Sequence, residues 1–222
     1  MWTNESLELV GHNRRHIFNR YYRQAAGASK LAVIVAGFAY TLESPFVFYS
    51  KHAPFAHGWD VLGVDLEYSR QPEFTALDER ERERWLAEEI AVLERLITTE
   101  LTYSQLSFIG KSLGTTVVYR LLQNDRIKAL TERVAWLTPG PFANRIFTLL
   151  LEDDLPGLLV YGDRDHYAAG APTARLRDRA NVDLWVVDEA DHALETDSVE
   201  RSVSNLASYV KRLAAFFAGS TE

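Results

Sequence analysis

Two rhythms of apolar residues alternate along the chain. Lys30 to Gly37 (Lys-Leu-Ala-Val-Ile-Val-Ala-Gly) and Trp59 to Leu66 are apolar on both faces of an extended backbone, as in strands buried inside a sheet. Shorter runs of this kind lie at Leu106 to Ile109, Arg133 to Leu137, Leu158 to Tyr161 and Val182 to Val187. Between them the spacing turns helical. Ser44 to about His57 carries Pro45 near its first turn, and Asp78 with Glu81 forms a capping-box pattern ahead of Leu86, Ile90, Leu93 and Ile97. Further helices are predicted over Thr115 to Leu122 and between Pro172 and Ala180. A last amphipathic helix, capped around Asp197 with Glu200, is expected to bury Val199, Val203, Leu206, Val210, Leu213 and Phe217. The Glu and Arg run from Glu79 to Glu89 reads as a solvated face, and Leu7 to Val10 with Ile17 to Arg23 as two edge strands of a hairpin.

Strands alternating with helices predict the α/β class: a doubly wound, mostly parallel sheet with helices on both faces and right-handed crossovers. With 222 residues, 47% of them hydrophobic, and no repeat or Pro/Gly/Ser-rich linker, the expectation is a single domain over residues 1–222. In such sheets ligands bind beyond the carboxyl ends of the strands.

One such strand end carries chemistry. Leu106 to Gly114 reads Leu-Ser-Phe-Ile-Gly-Lys-Ser-Leu-Gly: a short strand, a tight turn, then a helix. In G-x-S-x-G the central serine sits on a strained turn, and the flanking glycines keep side chains out of the crowded junction. Ser112 is thereby offered as a nucleophile. Gly110-Lys111-Ser112 also ends like a Walker A loop, but that motif needs a glycine where Gln105 stands and a flexible loop where the residues are strand-like. Downstream, Asp165 and His192 each lie in the turn after a buried strand, in the order nucleophile, acid, histidine. Asp163 and Asp188 are the other candidates for the acid, Asp191 reads as structural, and His166 is the rival histidine.

The elbow and this order resemble the α/β-hydrolase superfamily, through Gly-Lys-Ser-Leu-Gly, Tyr-Gly-Asp-Arg-Asp and Asp-His-Ala, over nearly the whole chain from about Leu31. The resemblance implies a Ser112–His192–Asp165 triad with an oxyanion hole formed by the amides of Leu113 and Phe38. The family's common histidine-glycine pair before that loop is here Ala36-Gly37. Between Pro141 and Pro156 there is room for about one short helix, so no substantial cap is expected over an open, shallow site. Phe38, Tyr40, Phe142 and Tyr167 are candidate wall residues for substrate. The function implied is a serine esterase acting on a small carboxylic ester; a thioesterase, amidase or acyltransferase would use the same residues, and a hydrolase-fold protein that binds without turnover is the alternative.

Charge and composition narrow the partners. A formal net charge of −7 argues against nucleic acid or an anionic membrane and towards a small, neutral acyl substrate. With no cysteine, serine must carry any covalent chemistry of this type, and a reducing, cytoplasmic setting is expected. The first residues hold no apolar core of signal-peptide length, and the longest apolar run, Leu31 to Tyr40, falls short of a membrane span. His52 and His57 lack the companions of a metal site, so no metal or other cofactor is expected.

Overall fold

The computed structural model describes residues 2–219. Eight strands, β1 (Trp2–Glu5), β2 (Phe18–Gln24), β3 (Lys30–Val35), β4 (Asp60–Asp65), β5 (Gln105–Lys111), β6 (Thr131–Leu137), β7 (Gly157–Gly162) and β8 (Val182–Val187), form one sheet in the order β1-β2-β4-β3-β5-β6-β7-β8. The first two pairings, β1 with β2 and β2 with β4, are antiparallel, and all the others are parallel. The helices are α1 (Pro45–Ser50), α2 (His52–Ala56), α3 (Pro72–Ala76), α4 (Glu79–Arg95), α5 (Leu113–Leu121), α6 (Asp125–Leu130), α7 (Ala143–Glu152), α8 (Thr173–Arg177) and α9 (Val199–Ala218).

The double-sided apolar runs behave as their pattern demands. Leu31, Val33 and Val35 of β3 enter one core while Ala32, Ile34 and Ala36 enter the other. The first core is closed by residues of α3 to α8, among them Leu93, Val117, Ile127, Ile146 and Leu176; the second is closed by Phe46, Val47 and Ala53 of α1 and α2 and by Tyr209, Leu213 and Phe217 of α9. From β3 the chain moves through α1 and α2 to β4, then crosses back through α3 and α4 to β5 on the other side of β3. The connections leaving β3 and β5 therefore diverge, and a crevice opens at their carboxyl ends.

Departures from the sequence reading are local. Leu7 to Val10 is no strand: Asn19 binds both the amide and the carbonyl of Leu7 through its side chain, at 2.8 and 2.9 Å, and Val10 makes only an isolated bridge to His16. The ladder partner of β2 is instead the polar segment Trp2–Glu5. The predicted helix from Ser44 breaks at Lys51 into α1 and α2. The last helix is capped by Ser198, whose Oγ accepts from the amide of Arg201, while Asp197 lies one residue before the cap and pairs with Arg164. Val199 and Val203 are 76% and 61% exposed; the first turns of α9 overhang the sheet, and the buried stripe begins at Leu206. The Glu/Arg face of α4 also has an exception. Glu89 is fully buried, where it accepts from Tyr68 Oη (2.5 Å), Trp85 Nε1 (2.9 Å) and Arg15 (2.6 Å), and so anchors the segment ahead of β2. The capping box at Asp78 and Glu81 forms as expected.

Between β6 and β7 there is one ten-residue helix, α7. Among the described residues no helix is long and apolar enough to cross a membrane.

Close backbone approach yields a test. A Cβ on Gly162, at the end of β7, would lie 2.0 Å from the Ala190 carbonyl oxygen, whereas one on Gly170 meets nothing within 4 Å. Gly162→Ala is expected to lower the unfolding free energy by about 3 kcal/mol or prevent folding, because main chain must move. Gly170→Ala should stay within about 0.5 kcal/mol of wild type in urea titrations.

Candidate active site

The site is built on a junction with no slack. Strand β5 ends at Lys111 and α5 starts at Leu113, so Ser112 alone turns the chain, with φ 52° and ψ −116°. Its amide donates to Leu137 of β6 at 3.0 Å, and its carbonyl accepts from the amide and hydroxyl of Thr115 at 2.9 and 2.6 Å. Both flanking glycines are obligatory. A Cβ on Gly114 would sit 2.1 Å from the Val35 carbonyl oxygen, and one on Gly110 would sit 2.9 Å from Gly114 itself. Strand and helix touch through bare backbone, and the serine projects from the apex.

Two further loops meet it there. His192 Nε2 lies 2.8 Å from Ser112 Oγ, and His192 Nδ1 lies 2.8 Å from Asp165 Oδ2. The Asp165 side chain is wholly buried, and its other oxygen accepts from the Tyr167 amide at 3.0 Å, which fixes the carboxylate plane. The imidazole keeps about a quarter of its surface. The other acids are engaged or remote: Asp163 is exposed, Asp188 pairs with Arg201 at 3.3 Å, and Asp191 accepts from the amides of Ala193 and Glu195. His166 is exposed and stacks on Tyr167, its ring centroid 6.0 Å from that of His192. His57 Nδ1 donates to the Ala53 carbonyl, and His52 lies among Phe48 and Tyr49.

The loop after β3 leans on the same apex. A Cβ on Gly37 would lie 3.2 Å from Lys111 O and from Ser112 Cβ. Leu113 opens α5, where first-turn amides find no acceptor inside the helix, and among the described residues no acceptor is found for the Phe38 amide. Of the aromatic residues expected around the site, Phe38 and Tyr167 are 40% and 38% exposed, and the Tyr167 ring lies 5.0 Å from that of His192. Phe142 caps α7 and is half-buried between the guanidinium groups of Arg120 and Arg145. Tyr40 is tied more deeply: its hydroxyl accepts from the Phe46 amide at 3.2 Å, and its ring covers an ammonium.

That ammonium belongs to Lys111, which sequence reasoning weighed only as part of a phosphate-loop look-alike. It is 1% exposed. Its Nζ donates to the carbonyl of His192 at 2.7 Å and to the hydroxyl of Thr138. Burial pushes the ammonium down to about 8, against the attraction of Asp165 and Asp191. Nothing in the motif distinguishes a lysine that points inward from one that points to water.

No protein-family profile matches the sequence, and no curated protein matches it. Solved structures do match in shape. Dienelactone hydrolase from Anabaena variabilis superposes with a TM-score of 0.66 at 15% identity, covering 100% of this chain and 99% of its own. Est1E from Butyrivibrio proteoclasticus, solved with ferulic acid bound, gives 0.64 at 14% identity over 95% and 98%. An α/β serine hydrolase without a lid from Xanthomonas campestris gives 0.61 at 13% identity over 99% and 97%. The chain has the α/β-hydrolase fold.

The strained apex predicts a trade between stability and chemistry. A non-glycine residue in such a conformation costs about 1–3 kcal/mol, and glycine gives back roughly 0.5–1 kcal/mol of that in chain entropy. Ser112→Gly should therefore raise the unfolding free energy by about 1 kcal/mol in denaturant titrations, whereas Ser112→Ala, still strained, should not.

Proposed function

We propose that the chain is a serine hydrolase, one catalytic domain with no cap, that cleaves a small carboxylic ester through an acyl-Ser112 intermediate. The observation that carries this is the unbroken relay from Ser112 Oγ to His192 to the buried Asp165, each link 2.8 Å. A serine hydroxyl is a weak nucleophile at neutral pH, so the base must stand within reach before substrate arrives. Nε2 is within reach, and Asp165 holds the opposite tautomer by accepting from Nδ1–H.

In the first half-reaction, Ser112 Oγ attacks the acyl carbon while His192 Nε2 takes its proton. The negative charge that develops on the carbonyl oxygen is received by the amides of Leu113 and Phe38, with the amino end of α5 behind them. Collapse of the tetrahedral intermediate expels the alkoxide, which takes the proton from the imidazolium. Water then repeats the sequence on the acyl-enzyme and frees the acid and Ser112. Asp165 remains ionised throughout.

A small neutral acyl group is favoured by the exposed aromatic faces of Phe38 and Tyr167, the Tyr167 ring 5.0 Å from that of His192. Support comes also from the structural neighbours: Est1E with ferulic acid bound, a dienelactone hydrolase and a serine hydrolase without a lid.

Labelling with a fluorophosphonate probe, located by mass spectrometry, is the direct test. An adduct on Ser112 that disappears in Ser112→Ala is expected; folded wild type that stays unlabelled would favour ligand binding without turnover. Against a p-nitrophenyl ester, Asp165→Asn should lower kcat by about a thousand-fold or more through loss of the tautomer, and Asp163→Asn by less than about two-fold. The reverse result would transfer the acid's role.

A further inference from the structure

We propose that Lys111 is a positioning residue for the catalytic base: from the position next to the nucleophile, its ammonium grips the main chain of His192 and the hydroxyl of Thr138. The loops after β5, β6 and β8 are thereby held in register across the site. This role rests on the serine-hydrolase reading above.

Three observations carry it. First, the tether closes a ring. Lys111 and Ser112 are consecutive; the lysine reaches the His192 carbonyl at 2.7 Å, and the His192 imidazole returns to Ser112 Oγ at 2.8 Å. Among the described residues the His192 main chain makes no other hydrogen bond, while the rest of its loop is bound internally through Asp191, Leu194 and Glu195. Second, the same ammonium donates to Thr138, a residue at φ 41° whose amide is fixed to Val160 at 2.7 Å. Two residues further on, a Cβ at Gly140 would lie 3.5 Å from Ser112 Oγ, so the bond also steadies chain that packs beside the nucleophile. Third, the buried charge is fully matched. Its three N–H donors face the His192 carbonyl, the Thr138 hydroxyl and the Tyr40 ring, whose centroid is 4.8 Å away. A lysine needed only for packing would be replaceable by an apolar stem of the same length.

The groups facing the ammonium are Asp165 from the loop after β7, Asp191 and His192 from the loop after β8, and Tyr40 from the loop after β3. Hydrogen bonds from a charged donor are roughly twice as strong as neutral ones. The protonated form is thus the one that holds His192. Because burial pushes this ammonium down to about 8, the tether is at full strength below that pH and slackens above it, when the amine keeps two N–H groups but loses its charge.

The test is steady-state hydrolysis of p-nitrophenyl acetate from pH 6 to 10, corrected for spontaneous hydrolysis, with fluorophosphonate labelling in parallel. Wild type should lose kcat on an alkaline limb. Lys111→Met, which keeps the stem, should lower kcat at pH 7 by about ten- to a hundred-fold, as small misplacements of reacting groups do. Its KM should stay within about two-fold of wild type, and its alkaline limb should vanish. Thr138→Val removes one acceptor from the charged form and should move the limb to lower pH, a shift that a packing defect would not produce. It also serves as the deciding variant should Lys111→Met fail to fold. A folded Lys111→Met with wild-type kcat and limb, or an unmoved limb in Thr138→Val, overturns the role of Lys111 alone. Wild type that takes up no probe overturns the hydrolase reading and this role together.

Discussion

Everything at the site depends on how closely β5 and α5 can be joined. One residue separates them, and the helix that begins there lies against β3 so tightly that Gly114 shares its space with the Val35 carbonyl oxygen. A side chain at that point would push α5 away from the sheet. Ser112 would then fall back towards an ordinary turn, the Leu113 amide would rotate, and the loop after Gly37 would lose its support. A backbone contact about the width of one methyl group sets the direction of a hydroxyl, an amide and a neighbouring loop together. The strain at Ser112 persists because the strand on one side and the helix on the other over-determine it.

The second organising element is electrostatic. Two charges, Asp165 and Lys111, are removed from water beneath an imidazole that keeps about a quarter of its surface. Neither is tolerated through a direct ion pair with the other. Asp165 is held by a backbone amide and the imidazole, and Lys111 by a carbonyl, a hydroxyl and an aromatic face. Oriented dipoles thus do what a salt bridge would otherwise do, and the imidazole is left between a carboxylate on its ring and a cation on its main chain. That arrangement fixes the histidine at both ends without blocking the face turned to solvent.

Much of this could be read along the chain because buried parallel strands are apolar on both faces, and Lys30 to Gly37 or Leu158 to Tyr161 leave few alternatives. Ser112, Asp165 and His192, each read as lying just after a strand, come within hydrogen-bond reach of one another, with each link 2.8 Å. Other features carry no comparable signal. Helices α3 and α6 span five and six residues, too short for a periodicity. Leu7 to Val10 alternates like a strand, yet the Asn19 side chain satisfies its backbone instead. Val199 and Val203 continue an apolar stripe beyond the edge of the sheet that would have buried them. Glu89 and Lys111 are charged residues whose burial depends on partners far away in sequence, Arg15 and Tyr68 for one, Thr138 and His192 for the other.

The single helix between β6 and β7 has a consequence for how such a molecule can diversify. The loops carrying Asp165 and His192 are locked by the contact of Gly162 with Ala190, and Ser112 by its two glycines, so change there is penalised at once. The stretch from Gly140 to Phe142 starts beside Ser112 and leads into α7, whose Ala143, Ile146, Phe147 and Leu150 are buried in the first core. Residues inserted at that point would roof the crevice without entering either core. Lengthening this connection could therefore reshape what the crevice admits while Ser112, Asp165 and His192 kept their geometry.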